Sequence, residues 1–155
     1  MKNFLNIADH SSSLLRNIIE EAKDRKRKRE GQNKSSVDKD KPLYGKSMIM
    51  IFEKPSTRTR ISFDLAIKQL GGSSVILNPD GIHYGKGDES LKDTARVLSE
   101  YADVLMIRTS SHKKLEDFAK YSKIPVINGL SDQSHPCQVM SDILTFEENN
   151  GNIEG

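Results

Sequence analysis

The chain has 155 residues, 35% of them hydrophobic and 30% charged, which is enough apolar material for one core and too little for two. Its 24 Lys and Arg against 22 Asp and Glu leave a net charge of +2, so the overall balance calls for neither a nucleic acid nor an anionic membrane as partner. No apolar run approaches the ~20 residues of a membrane span, the opening MKNFLNIADH lacks the layout of a secretory signal, and the single Cys137 excludes an internal disulfide; together these point to the cytoplasm.

The charge is unevenly spread. Residues 1–46 hold 12 basic and 7 acidic side chains, with the excess concentrated in Lys23 to Arg29. Leu14, Leu15, Ile18, Ile19 and Ala22 fall on one helical stripe behind Ser11 to Ser13, which predicts an amphipathic helix over about 13–29 ending in that basic run. The Gly/Ser/Asp-rich stretch beyond it has almost nothing to bury, and 31–46 is expected to be a mobile loop. Met48 to Phe52 is a continuous apolar run of strand length, as in a parallel strand covered on both faces. From Thr57 the spacing of Ile61, Phe63, Leu65, Ala66 and Leu70 predicts a helix stopped by Gly71-Gly72.

The alternation then continues: strand at 75–77, Gly-rich loop, helix at 90–101, strand at 104–107, helix at 113–121, strand at 125–127, and a last helix from Pro136. Strands and helices alternating at this spacing predict an α/β class: a parallel sheet of about four strands flanked by helices on both faces.

Ligands of such sheets bind beyond the carboxyl ends of the strands, so the residues just past each strand matter most. After the first strand comes Ser56-Thr57-Arg58-Thr59-Arg60. A helix N-terminus with free N–H groups, hydroxyls at Ser56, Thr57 and Thr59, and the planar fork of Arg58 suits a phosphate. The same string also fits a serine or threonine that caps the helix while both arginines face water. Neither a G-x-x-x-x-G-K-[ST] loop nor a strand-borne G-x-G-x-x-G is present, so a nucleotide is not favoured, and Gly81-Ile82-His83-Tyr84-Gly85-Lys86 reads better as a plain loop than as a dinucleotide site. Arg108, at the end of the third strand, either flanks the same anion as Arg58 or is simply solvated.

In Ser134-His135-Pro136-Cys137-Gln138, Pro136 fits a first helical position, and His135 and Gln138, three apart, share a face. An imidazole N–H can donate to a carbonyl oxygen and a Gln oxygen can accept from an NH2 group, a pairing suited to a small carbonyl-amide; the alternative is a histidine that only caps the helix. Cys137 has no partner resembling a catalytic dyad and reads as packing. Asp132 and Asp142 lack histidines at ligand spacing, so no metal site is expected.

Taken together, Phe52-Glu53-Lys54-Pro55-Ser56-Thr57-Arg58-Thr59-Arg60, Lys92-Asp93-Thr94-Ala95-Arg96, Met106-Ile107-Arg108-Thr109, Asn128-Gly129-Leu130-Ser131-Asp132 and His135-Pro136-Cys137-Gln138 resemble the ornithine carbamoyltransferase family from about residue 43 onward. Lys54 and Cys137 favour the ornithine over the aspartate branch. The resemblance implies that residues 1–155 form a carbamoyl phosphate-binding domain, the first half of a two-domain enzyme making citrulline and phosphate from L-ornithine in arginine biosynthesis. It further implies that Ser56, Thr57, Arg58 and Thr59 hold the phosphate, Arg108 bridges phosphate and carbonyl, His135 polarises that carbonyl and Gln138 receives the NH2 group. No cofactor is implied.

Ornithine would bind through a second domain, whose motifs do not occur here, so the fragment is expected to seat carbamoyl phosphate weakly without turnover. The family forms trimers with shared sites, and where its members present a glutamine to the neighbouring subunit this chain has His83, with Lys86 as the other candidate. Competing expectations are an acceptor other than ornithine (aspartate, putrescine or an acylated ornithine), a non-catalytic phosphate-binding domain, and nucleic-acid binding by Lys23 to Arg29.

Overall fold

The computed structural model describes residues 3–78 and 90–153, so the loop holding His83 and Lys86 lies outside the described residues. Four strands, β1 (Ser47–Phe52), β2 (Ser73–Leu77), β3 (Val104–Arg108) and β4 (Val126–Leu130), form one sheet in the order β2-β1-β3-β4, and every pairing is parallel. Five helices connect and flank them: α1 (Ser12–Lys28), α2 (Thr57–Gln69), α3 (Leu91–Tyr101), α4 (His112–Tyr121) and α5 (Pro136–Asn150). The expected α/β class and all nine expected elements are present, within a few residues of their anticipated bounds.

The pleat explains the continuous apolar run of β1. Ile49 and Ile51 point to one face, where they meet Leu105, Ile107 and Val126 of the sheet and Ala95, Leu115 and Phe118 of α3 and α4. Met48, Met50 and Phe52 point to the other, packing with Met106 and with Ile67 of α2. Both faces are therefore buried. Gly71 ends α2 with φ +90°, a conformation that costs a glycine little, and its successor Gly72 leaves room for the Lys46 carbonyl, which a Cβ would approach to 2.9 Å.

The strand order matters for function. From β1 the chain passes to β2 on one side and then returns to β3 on the other, so the carboxyl ends of β1 and β3 diverge at a topological switch point. There the Glu53 N–H donates to the Arg108 carbonyl at 2.9 Å, tying the two strand ends together.

Two features went unanticipated. Phe4 forms a parallel bridge with Ile127, its N–H donating to Val126 O at 2.8 Å and its carbonyl accepting from Asn128 N at 2.9 Å, so the N-terminal segment covers the free edge of β4; a single 3-10 turn comes next at Ile7–Asp9. Residues 31–46 hold neither helix nor strand, but the view that they have almost nothing to bury is corrected by Asp38 and Leu43. Asp38 is buried; its carboxylate accepts from Arg25 at 2.8 Å and from Arg29, and its N–H donates to Gln69 O. Leu43 packs against the methionine face of the core. Much of the basic run is thereby paired with carboxylates: Arg25 also with Glu21 and Asp40, Lys26 with Glu148, Lys28 with Asp24.

Candidate functional site

A cavity of ≈ 810 Å³ opens at the switch point, and its walls come from the start of α2, the end of β3, the end of β4 and the start of α5. Ser56, Thr57, Arg58, Thr59, Arg108, His135 and Gln138 all line it. Arg60 does not. The described lining holds two arginines and no carboxylate.

The helix starts around this cavity differ from those elsewhere in the molecule. Ser11, Ser90 and Ser111 each accept a hydrogen bond from a backbone N–H of the helix they precede, satisfying donors that a helix start leaves open. Ser56 and His135 occupy the same position before α2 and α5, yet neither side chain makes that bond. The purely capping readings of Ser56 and His135 therefore do not describe this structure. Two uncapped helix starts, each carrying partial positive charge, are added to the two guanidinium groups.

Thr59 is buried, and its hydroxyl oxygen accepts from Arg108 Nη1 at 2.9 Å. This bond joins the α2 and β3 contributions. Arg108 Nε is buried with no hydrogen-bond partner among the described residues, and so is His135 Nδ1. Donors or acceptors left unsatisfied in this way are costly, and here both belong to groups lining the cavity. The imidazole of His135 has its pKa lowered below the ordinary histidine value, first by burial and then by the charge of Arg108, with Asp142 opposing. Both of the lowering causes favour the uncharged ring.

Gln138 donates through Nε2 to Asp142 Oδ1 at 2.8 Å. That bond ties one N–H of the amide to a carboxylate one helical turn away and leaves the amide oxygen open to accept from a ligand, with no hydrogen bond to it among the described residues. Cys137 also lines the cavity; burial pushes its thiol up to about 11, so it stays protonated and suits packing. Glu53, just before the α2 start, accepts from Thr109 Oγ1 and from Lys114 Nζ at 2.8 Å, fastening the turn after β1 to the start of α4.

Five contributors lie outside the residues that the sequence assigns to the site. Asp142 figures there only as a metal ligand without partners, although its place four residues after Gln138 is a usable signal. Leu130 lines the cavity with φ 143°, a strained conformation for a side chain that branches, held because its N–H donates to Asn128 Oδ1 at 2.9 Å and its carbonyl accepts from Thr109 N at 3.0 Å. Ser62, Phe63 and Ser141 add to the wall at helical spacing from residues already singled out. No group of three or more metal-ligating side chains occurs among the described residues.

Fold and cavity together define a class: an α/β domain with a cationic cleft at the switch point of its sheet. The chain belongs to the aspartate/ornithine carbamoyltransferase family, whose carbamoyl-P binding domain matches residues 2–148. It is 49% identical over 154 residues to an ornithine carbamoyltransferase of Rhizorhabdus wittichii, covering 99% of this chain and 50% of that protein. The solved ornithine carbamoyltransferase of Pyrococcus furiosus superposes with a TM-score of 0.90 at 44% identity, over 99% of this chain and 47% of that one. An N-acetyl-L-ornithine transcarbamylase variant complexed with carbamyl phosphate and N-succinyl-L-norvaline gives a TM-score of 0.81 at 35% identity, over 98% of this chain and 49% of that one. The chain thus spans about half the length of the relatives it matches.

Proposed function

We propose that this chain supplies the carbamoyl phosphate site of an ornithine carbamoyltransferase, which transfers the carbamoyl group to the side-chain amine of L-ornithine and releases citrulline and phosphate. The observation that carries the reading is the meeting, around one cavity free of carboxylates in its described lining, of the α2 start, Arg108, His135 and Gln138 from separate stretches of sequence.

In this reading the N–H groups and hydroxyls of Ser56, Thr57 and Thr59 and the fork of Arg58 receive the phosphate. Arg108, anchored on Thr59, reaches both a phosphate oxygen and the carbonyl oxygen. His135, neutral, donates one N–H to that carbonyl without protonating it, and the free oxygen of Gln138 accepts from the carbamoyl NH2. The ornithine amine, in its neutral form, attacks the carbonyl carbon; the oxyanion that develops is stabilised by Arg108 and His135, its collapse breaks the C–O bond to phosphate, and the departing phosphate takes up the proton shed by the amine and carries its charge into the cationic cluster. Positioning and electrostatics supply the rate, and no step requires a cofactor.

Ornithine binds through a second domain, as the half-length match to relatives suggests. The assembly is a homotrimer in which His83 or Lys86 reaches a neighbouring site. The work is done in the cytoplasm as part of arginine biosynthesis, with neither nucleic acid nor membrane as partner. Steady-state assays of the protein carrying this chain, offering ornithine, N-acetylornithine, putrescine and aspartate in turn, test the acceptor. Citrulline formation with ornithine, exceeding the other products by at least about a hundredfold in kcat/KM, is expected. Carbamoylation of another amine in preference refutes the acceptor, and absence of carbamoyl transfer to any of them refutes the reaction class.

A further inference from the structure

His135 lacks the usual support of a functional imidazole. Such rings are commonly oriented by a hydrogen bond on the second nitrogen, but the buried Nδ1 of His135 has no partner among the described residues. Its placement must come from the backbone that delivers it, which is the turn from Ser131 to Ser134.

That turn rests on a buried polar network centred on Asn128. The Asn128 side chain is completely buried. Its Oδ1 accepts from Leu130 N at 2.9 Å, and its Nδ2 donates to Leu5 O at 3.0 Å and toward Ser134, whose carbonyl and hydroxyl oxygens both lie 3.1 Å away. The Ser134 hydroxyl in turn donates to Asn6 Oδ1 at 2.7 Å, and Asn6 Nδ2 lies 3.3 Å from His112 Nε2. His112 closes the circuit through Nδ1, 2.8 Å from Ser131 Oγ. One planar group thus holds Leu130, on the cavity wall, and Ser134, the residue before His135, against the N-terminal segment.

We propose that Asn128, acting through Ser134, the Leu5 carbonyl and the Asn6 side chain, is a positioning residue that sets the His135 imidazole against the carbonyl of carbamoyl phosphate; this rests on the functional reading above. Only an amide fits the role. An aspartate offers acceptors alone to oxygens that need a donor, and an alanine leaves Leu130 N without its acceptor and takes from Leu5 O and Ser134 the donor that joins them to β4, although Ser134 keeps its bonds to Asn6 Oδ1 and Ser131 N. The network is built from β4, the turn after it, the N-terminal segment and His112, and meets the cavity at Leu130 and, through Ser134, at His135, whereas the phosphate end is built from the α2 start and Arg58. The device therefore acts on the carbonyl end of the site and leaves the phosphate end alone.

The test is a pair of affinities measured by calorimetry in the protein carrying this chain: carbamoyl phosphate and inorganic phosphate, for the wild type and for Asn128→Ala, Ser134→Ala and Asn6→Ala. Asn128→Ala is expected to weaken carbamoyl phosphate about tenfold, the scale of one well-made hydrogen bond, while phosphate stays within about twofold; the other two variants shift in the same direction by about threefold. If Asn128→Ala does not fold, Ser134→Ala and Asn6→Ala carry the same expectation. Parallel loss of both affinities, or no change in either, overturns the positioning role while leaving the site reading intact. A wild type that does not prefer carbamoyl phosphate to phosphate overturns the site reading and, with it, this proposal.

Discussion

Replacing Arg108 by lysine keeps the charge and removes the fork. In the native site Nη1 is engaged by Thr59 at 2.9 Å while Nε is buried without a partner among the described residues, so the guanidinium holds one bond to the protein and presents unspent donors to a ligand. A lysine ammonium cannot keep the Thr59 bond and also span two oxygens, so at least one charge-assisted hydrogen bond is lost, worth about 1.5–3 kcal/mol, or roughly tenfold to 150-fold in affinity for carbamoyl phosphate. Thr59→Val, nearly isosteric, removes the anchor without touching the charge and is expected to cost about fivefold to tenfold. Because Thr59 acts partly through Arg108, the double variant should fall short of the sum of the two losses by about 1 kcal/mol. Calorimetric titration of all four proteins, with thermal melts to confirm folding, provides the numbers. Arg108→Lys binding carbamoyl phosphate within twofold of the wild type, or strict additivity in the cycle, would refute the view that Thr59 poises Arg108 for the ligand.

Groups outside the phosphate end carry consequences of their own. Glu147, with its side chain inaccessible, is ion-paired with Lys23 at 2.8 Å and accepts from Arg16 at 2.6 Å, and these contacts bring its pKa from 4.5 to about 2. A carboxylate lowered on folding adds stability that is complete above its unfolded pKa and is lost as pH falls toward the folded one. The melting-temperature gap between wild type and Glu147→Gln should therefore be constant above about pH 5.5 and shrink from pH 4.5 toward 2; a gap independent of pH contradicts the pairing. Cys137, with its thiol pushed up to about 11, should react with iodoacetamide at pH 7.5 at least about tenfold more slowly than free cysteine, and equal rates would show the thiol is not shielded. Gly129→Ala would bring a Cβ within 2.3 Å of the fully buried Met106 Sδ, and chemical denaturation is expected to register a loss of about 1–3 kcal/mol; an unchanged midpoint would mean that Met106 repacks freely.

The parts of this molecule legible in sequence are those whose cause is local. Met48 to Phe52 announces a strand buried on both faces because five consecutive apolar side chains have no helical alternative of that length, and Ser90 announces α3 because its hydroxyl finds the Asp93 N–H three residues on. The candidate site is legible for a related reason: strand ends in a parallel sheet share an edge, so the order of the motifs alone assigns Arg58, Arg108, His135 and Gln138 to one cavity. What escapes depends on partners remote in sequence. Phe4 reads as an isolated aromatic until β4 is present to pair with it, and Asp38 as a loop carboxylate until Arg25 and Arg29 of α1 close over it. Asn128 looks like a strand-end polar residue, although it is bonded to the N-terminal segment, Leu130 and Ser134 at once.

The most direct test of the site is a crystal structure of the protein carrying this chain with carbamoyl phosphate bound. The phosphate is expected against the N–H groups and hydroxyls of Ser56 to Thr59, the carbonyl oxygen between Arg108 and His135, and the NH2 group on the Gln138 oxygen. A second cavity of ≈ 580 Å³, between α1 and the 31–38 segment, is also lined by basic side chains, but there Arg25 and Arg29 are already paired with Asp38. Density for carbamoyl phosphate there, with the switch-point cavity left to solvent, would contradict the account.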